Sequence, residues 1–439
     1  MKNQKRGFIG IILGLALLLL CGCGGGGSDP PPIPPDDTVN KDPLAGSEID
    51  GLNLEQPGRP AVATDGTNFL VVSATTAADG TSTLIGTLVG ALDDAPFIDT
   101  TYPDDWTIIA NLQNNATSSR PAAIFNGTHY CVVFQDGGHI YAQLIDSTGT
   151  PRGTKKELST GDGNFLPVMA YDDVHQQALI VWVKYMDDSV NYYDLYSALI
   201  KFDNFSWLIE PLGIESSLLG DQPGDQNEPT VAFDGINYLV LWRQWTDTSQ
   251  DITIASDIYG ARVEAANGTV IGGEFAVSTA AEGQSEPKLA FDDTTPVDPK
   301  YLAVWSDLRN ATTGYDIYGT LISTTITPVV SNDFPINKST VPIQNFPTVT
   351  WDGSNFFVAW ANVDIINSNE INLANTGIFA DFVTPDGIVN NPDNLGLHVS
   401  GQPAEAALYI YPVVSNYLAT WVELTLDGQS ILGTWAIFQ

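Results

Sequence analysis

Glu228-Pro-Thr-Val-Ala-Phe-Asp-Gly235 and Phe346-Pro-Thr-Val-Thr-Trp-Asp-Gly353 are two copies of one phrase in a chain of 439 residues. Weaker copies start at Arg59, Arg120, Leu166, Glu286 and Tyr411. The prolines that mark the copies are Pro60, Pro121, Pro167, Pro229, Pro287, Pro347 and Pro412, separated by 61, 46, 62, 58, 60 and 65 residues. A period of about 60 residues over seven copies predicts a repeat architecture.

Each copy has the same internal order. A short strand follows the proline, which is tolerated as the first strand residue because its missing N–H breaks no interior ladder bond. A reversal comes next, at Asp65-Gly66, Asn126-Gly127, Asp234-Gly235 and Asp352-Gly353. An apolar strand then ends in a column reading Ser73, Phe134, Trp182, Trp242, Trp305, Trp360 and Trp421. A variable polar loop leads to a third strand with a small residue near its start: Gly86, Ala142, Ser197, Gly260, Gly319, Ala380 and Gly433. A fourth strand is predicted at Phe275–Ser278, Phe334–Ile336 and Leu397–Ser400.

Bulk in one column and room in another suit sheets stacked about 10 Å apart, with each indole over a small-residue site in its own unit or the neighbour. Four short antiparallel strands per unit, repeated radially, predict an all-β fold: a single seven-bladed β-propeller over 47–439. The seventh copy stops at its third strand, Ile431–Phe438, whereas Glu48–Glu55 fits the fourth-strand slot. The N-terminal strand is therefore expected to complete the last blade and close the ring, leaving no unpaired edge at the seam.

The order of strands resembles the propeller repeats of TolB-like proteins. The matching residues are Asp257-Ile-Tyr-Gly260, Asp316-Ile-Tyr-Gly319 and the diverged Asp194-Leu-Tyr-Ser197. These repeats are longer and lack the serine before Pro-Asp-Gly. The resemblance implies the fold more than a function, since such proteins mostly bind other envelope proteins or accompany catalytic domains. The recurring aspartate of these triplets reads as a structural hydrogen bond, since a catalytic residue is needed once.

The first 46 residues read as an address. Lys2, Lys5 and Arg6 precede thirteen mainly apolar residues, Phe8–Leu20, the two regions of a secretory signal and too short to span a bilayer. Leu20-Cys21-Gly22-Cys23 resembles a bacterial lipobox, with Cys23 the acylated residue and Cys21 the alternative. Residues 1–22 are then a lipoprotein signal peptide, and the Gly- and Pro-rich 23–46 a tether. The expected partner is a membrane reached through that lipid, the outer membrane rather than the inner.

The chain carries 17 basic and 52 acidic residues, a net charge of −35, which excludes nucleic acid as an electrostatic partner. Three cysteines form no disulfide framework, and Cys131, inside Tyr130–Phe134, reads as a buried inert thiol. His129, His139, His175 and His398 show no metal or triad spacing.

Sites are expected where the longer loops lie, at Lys184–Asp194, Arg243–Asp257, Asp307–Asp316 and Asn362–Gly377, near the channel mouth. The residues before the marker prolines stand at the start of the innermost strands. Among them Arg59, Arg120, Glu228, Glu286 and Tyr411, with Asp307 and Arg309 from a loop, are candidates for holding an anionic ligand or for pairing among themselves. Asp187, Asp188, Asp194, Asp247, Asp251 and Asp257 are candidate ligands for a structural calcium ion, or a solubilising surface. No cofactor is implied otherwise. Three functions fit: non-catalytic binding of an envelope protein or glycan, a carbohydrate-active hydrolase or lyase using channel-mouth carboxylates, and a structural or adhesive scaffold with no small-molecule site.

Overall fold

The computed structural model describes residues 47–54, 60–76, 81–92, 95–98, 106–113, 120–186, 192–203, 208–213, 215–220, 224–245, 256–294, 297–310, 314–337, 343–363, 365–367, 370–371, 377–390, 397–398, 413–415, 418–425 and 428–434. Apart from a short hairpin, Ile365–Asn367 with Glu370–Ile371, the described strands form seven antiparallel sheets of four or five strands. The fourth sheet shows the plan: Gln226–Phe233, Asn237–Trp245, Ser256–Glu264 and Val270–Ser278, each paired with the next. The fifth repeats it with Gln284–Phe291, Lys300–Asp307, Asp316–Ser323 and Phe334–Pro335. The sixth uses Ile343–Trp351, Phe356–Val363, Gly377–Val383 and Leu397–His398. Asn164–Asp172, Gln177–Tyr185 and Tyr193–Asp203 begin the third, whose outer edge is shared by Leu208–Pro211 and Ser216–Ser217.

The second sheet is Ala122–Phe125, Tyr130–Asp136, His139–Ile145 and Pro151–Glu157. In the first, Ala61–Thr64, Asn68–Thr76 and Ser82–Leu92 are followed by two outer strands, Ala95–Ile98 and Trp106–Leu112. Val413–Ser415, Leu418–Thr425 and Gly428–Thr434 form the last, and its fourth strand is Ser47–Leu54, with Ser47 opposite Gly433 and Leu54 opposite Gln429. The first strand of each sheet packs beside the first strand of its neighbour, which makes the molecule a β-propeller.

This packing explains why the second strands are continuous apolar runs. Tyr238 to Trp242 are all fully buried, because a blade is covered on both faces by its neighbours. Trp182, Trp242, Trp305 and Trp360 are fully buried too. Each stands on the preceding sheet: Trp182 shares a core with Cys131, Val133 and the small Ala142, and Trp360 shares one with Val304 and Ile317. The indole N–H groups are satisfied internally, by Asn164 Oδ1 at 2.9 Å, Gln244 Oε1 at 2.9 Å, Asp307 Oδ2 at 2.7 Å and Asn362 Oδ1 at 3.0 Å. Cys131 lies in the same cores, and burial holds its thiol far above the ordinary range.

The small column has a second use. A Cβ on Gly260 would stand 2.5 Å from Leu241 Cδ2 and 3.0 Å from Phe275 Cζ. Leu241 is fully buried, so it has little room to turn aside. Gly260→Ala is expected to destabilise the protein by about 1–3 kcal/mol through overpacking, measured by denaturant unfolding. A cost below about 0.5 kcal/mol would show that the leucine repacks freely.

The turns between first and second strands are closed by one side chain. Asp65, Asp234 and Asp352 each accept the N–H groups two and three residues on through Oδ1, at 2.7 to 3.0 Å, and Asn126 does the same for Thr128 and His129. These turns and those between third and fourth strands form one face of the propeller. The connections between second and third strands and between sheets form the other.

The marker prolines correct one expectation. Pro60 and Pro121 directly precede their strands, but Pro167, Pro229, Pro287 and Pro347 lie inside theirs, at bulges between Phe165 and Val168, Asn227 and Thr230, Ser285 and Lys288, and Asn345 and Thr348. A bulge removes the proline from the ladder, so the missing N–H costs no bond and the strand continues on both sides.

Candidate functional site at the channel mouth

The bulges aim side chains into the centre. Leu166, Glu228, Glu286 and Phe346 have φ of 52°, 53°, 51° and 54°. Left-handed backbone at a bulky residue before proline is strained, and its recurrence at one position in four sheets marks it as built. The backbone is held in place locally: Glu228 N donates to Asn227 Oδ1 at 2.8 Å, and Phe346 N to Asn345 Oδ1 at 2.8 Å and Ser306 Oγ at 3.2 Å.

With Arg120, these residues line a cavity of about 140 Å³ whose wall also includes Pro229, Lys288 and Pro347. Of the seven residues preceding marker prolines, the five within the described residues therefore converge on one cavity. Arg59 and Tyr411 lie outside the described residues, as do Cys21, Cys23, Asp187, Asp188, Asp247 and Asp251.

Among the described residues, the mouth carries two carboxylates and three cations. Glu228 Oε1 meets Arg243 Nη1 at 3.4 Å, and its Oε2 accepts the Glu286 backbone N–H at 2.7 Å. Glu286 Oε1 faces Arg120 Nη1 at 3.8 Å from a non-adjacent sheet, and its Oε2 faces Lys288 Nζ at 3.6 Å. All four carboxylate oxygens thus have a donor or cation beside them. Arg243 also donates through Nε to Ser256 Oγ at 2.9 Å and stacks on Trp245, 4.2 Å from its ring. Tyr315 closes the group: burial pushes its phenol up, Arg243 works in the opposite direction, and a hydrogen bond with Ser285 does too. Glu286 is the more enclosed partner in both of its pairs, whereas Arg120 and Lys288 keep about a third of their side chains exposed, at 31% and 32%. Such long, part-exposed pairs contribute about 1 kcal/mol or less each.

Arg243 and Tyr315 fall in two of the stretches where sites were expected but were not singled out, and Lys288 was not foreseen. Lys288 directly follows a marker proline and Arg243 directly follows a column tryptophan, so both positions were on view. Their approach to the glutamates depends on the bulge and on packing between sheets.

Asp307 and Arg309 do not line the cavity. Asp307 is fully buried and accepts Trp305 Nε1 at 2.7 Å, Arg309 N at 2.9 Å, Arg309 Nε at 2.8 Å and Arg309 Nη2 at 2.7 Å. The guanidinium continues to Asp333 Oδ2 at 2.8 Å and lies 4.0 Å from the Tyr318 ring. Burial opposes its charge, but the hydrogen bonds to Asp307 and Asp333 outweigh it and raise the Arg309 pKa. This closed cluster fixes a loop. Asp194 and Asp257 begin the third strands of different sheets, opposite Lys184 and Gln244, and burial pushes the Asp257 carboxyl up. Among the described residues, no three His, Cys, Asp or Glu side chains are grouped as a metal site.

No family model and no curated protein matches the sequence. Several solved β-propellers are similar in backbone. An α-L-arabinofuranosidase from Fusarium graminearum has a TM-score of 0.47 at 10% identity, covering 76% of this chain and 94% of that one. The Dos1 propeller scores 0.44 at 13% identity, covering 91% and 97%. An α-L-arabinofuranosidase from Lactobacillus brevis scores 0.38 at 13% identity, covering 63% and 94%. At these scores the likeness carries nothing about chemistry.

Proposed function

We propose that this chain is a lipid-anchored protein of the bacterial cell envelope, acylated at Cys23 and held at the outer membrane. Its seven sheets are the blades of one ring that the N-terminal strand closes. It binds an envelope protein or glycan at the channel mouth, on the loop-rich face, without catalysis. The observation behind the binding role is the engagement of every oxygen of Glu228 and Glu286 by a cation or N–H. A general acid needs a proton and a nucleophile needs a free lone pair, and this arrangement favours neither. Arg120 and Lys288, paired with Glu286 but each with about a third of its side chain exposed, are the cations an anionic partner would meet first.

The full-length protein, made soluble by Cys23→Ala, is tested on an array of envelope glycans beside a glycoside-hydrolysis screen. Binding without turnover is expected, weakened at least tenfold by the Arg120→Glu, Lys288→Glu double variant. Turnover that Glu228→Gln or Glu286→Gln abolishes would overturn binding in favour of a carbohydrate-active hydrolase. The anchor has its own outcome: Cys23→Ala should move the protein from the membrane to the soluble fraction, and unchanged membrane association would refute it.

A further inference from the structure

The turn face carries, among the described residues, the most exposed aliphatic side chains. Among the described residues, Val174, Ile236, Val297, Ile326, Val329 and Ile388 are each at least 60% exposed, and every other exposed large hydrophobic side chain is 49% or less. All six sit on the turn face. Val174, Ile236 and Val297 lie between first and second strands of the third, fourth and fifth sheets. Ile326, Val329 and Ile388 lie between third and fourth strands of the fifth and sixth. Neighbouring sheets are joined at this face, Thr294 Oγ1 of one turn donating to Gly353 O of the next at 3.2 Å and Arg262 Nη2 of a third strand to Thr324 O of the following sheet at 3.1 Å. Single exposed aliphatic side chains are ordinary on a protein surface; six on the turns of four successive sheets, the most exposed among the described residues, are a pattern.

The chain enters at that same face. Third strands run toward the turns, and Ser47 pairs with Gly433 near the turn-face end of Gly428–Thr434. Only residues 24–46 separate Ser47 from Cys23. We infer that the turn face rests on the lipid surface that holds Cys23, its aliphatic tips dipping into the headgroup layer. The channel mouth then points away from the membrane. This rests on the anchored reading above. Anchoring makes the contact intramolecular, at an effective concentration in the millimolar range, so shallow tips with weak affinity suffice to set the orientation. Asp173, Asp293, Asp298 and Asp386 are exposed beside the tips and oppose a negative surface. The lipid that fits is a zwitterionic phospholipid.

The test uses the full lipidated chain in phosphatidylcholine vesicles containing a brominated acyl-chain quencher. A fluorophore on Ile236→Cys is expected to be quenched at least twofold more than one on Tyr192→Cys at the opposite face; buried Cys131 stays unlabelled. Serine at the other five aliphatic positions should erase that difference while the protein stays vesicle-bound. Adding phosphatidylglycerol should reduce it. Equal quenching at the two faces with Cys23 acylated overturns the docking and leaves the anchor standing. A Cys23 that mass spectrometry finds unmodified overturns both. An Ile236→Cys label shielded only when a second envelope protein is added replaces lipid with a protein partner and overturns the proposal.

Discussion

Arg262→Ala is expected to lower the unfolding free energy by about 3–5 kcal/mol. Arg262 is 1% exposed and its Nη2 donates to Asp234 Oδ2 at 2.5 Å. Its Nη1 donates to Tyr301 Oη at 3.0 Å in the next sheet. Burial raises the Tyr301 phenol well above its ordinary value, and Asp234 adds to that. The guanidinium thus ties an Asp-Gly turn, a third strand and a neighbouring second strand together. Alanine would leave the Asp234 carboxylate buried, with its turn N–H donors but without its counter-charge. The loss of a partner costs more than the pair contributes, because the remaining charge cannot return to water. Arg262→Met with Asp234→Asn removes both charges at similar volume and should restore most of the stability. Urea midpoints at constant slope give the comparison. A single-variant cost below about 1 kcal/mol, or a double variant no better than the single, would show that the charge pair is not what matters there.

Trp242→Ala is expected to cost about 3–5 kcal/mol, because the indole fills the space between two sheets and nothing else can reach it. Trp242 is fully buried and shares a core with Leu179, Val181, Val183 and Leu195 of the preceding sheet. Those side chains belong to a paired ladder and cannot collapse by more than a fraction of the indole's width, so a cavity would remain. Trp242→Phe keeps most of the volume and loses the 2.9 Å bond to Gln244, so about 1–2 kcal/mol is expected. The first sheet is a natural contrast, since Ser73 stands in the same column and is buried. If unfolding of Trp242→Ala falls within about 0.5 kcal/mol of the parent, the column is not a wedge.

Much of the fold was open to reading because its signals are local. An Asp-Gly turn is closed within four residues by its own carboxylate, as Asp352 shows with Ser354 and Asn355. The column tryptophans stand out because a strand buried on both faces has no polar positions to hide them. The site was half open. The residue before each proline was a visible column, and Arg120, Leu166, Glu228, Glu286 and Phe346 do meet at one cavity. Their left-handed backbone was not visible, since nothing in a Glu-Pro or Phe-Pro pair announces a bulge. Asp307 and Arg309 look as free in sequence as Glu228; only the structure turns them toward Trp305 and Asp333.

What the order of residues settled alone is the unit: strand, tight turn, apolar strand, loop and strand, repeated at a spacing of about 60. Those features depend on contacts a few residues apart, and the alternation and turn chemistry that encode them are short-ranged. What waited on the tertiary structure is which charges meet. Glu286 finds Glu228 across 58 residues and Arg120 across 166, in sheets whose first strands pack beside one another. Pairing at that separation is set by the bend of each strand at its bulge and by the packing of sheet on sheet. Neither leaves a mark in any single repeat.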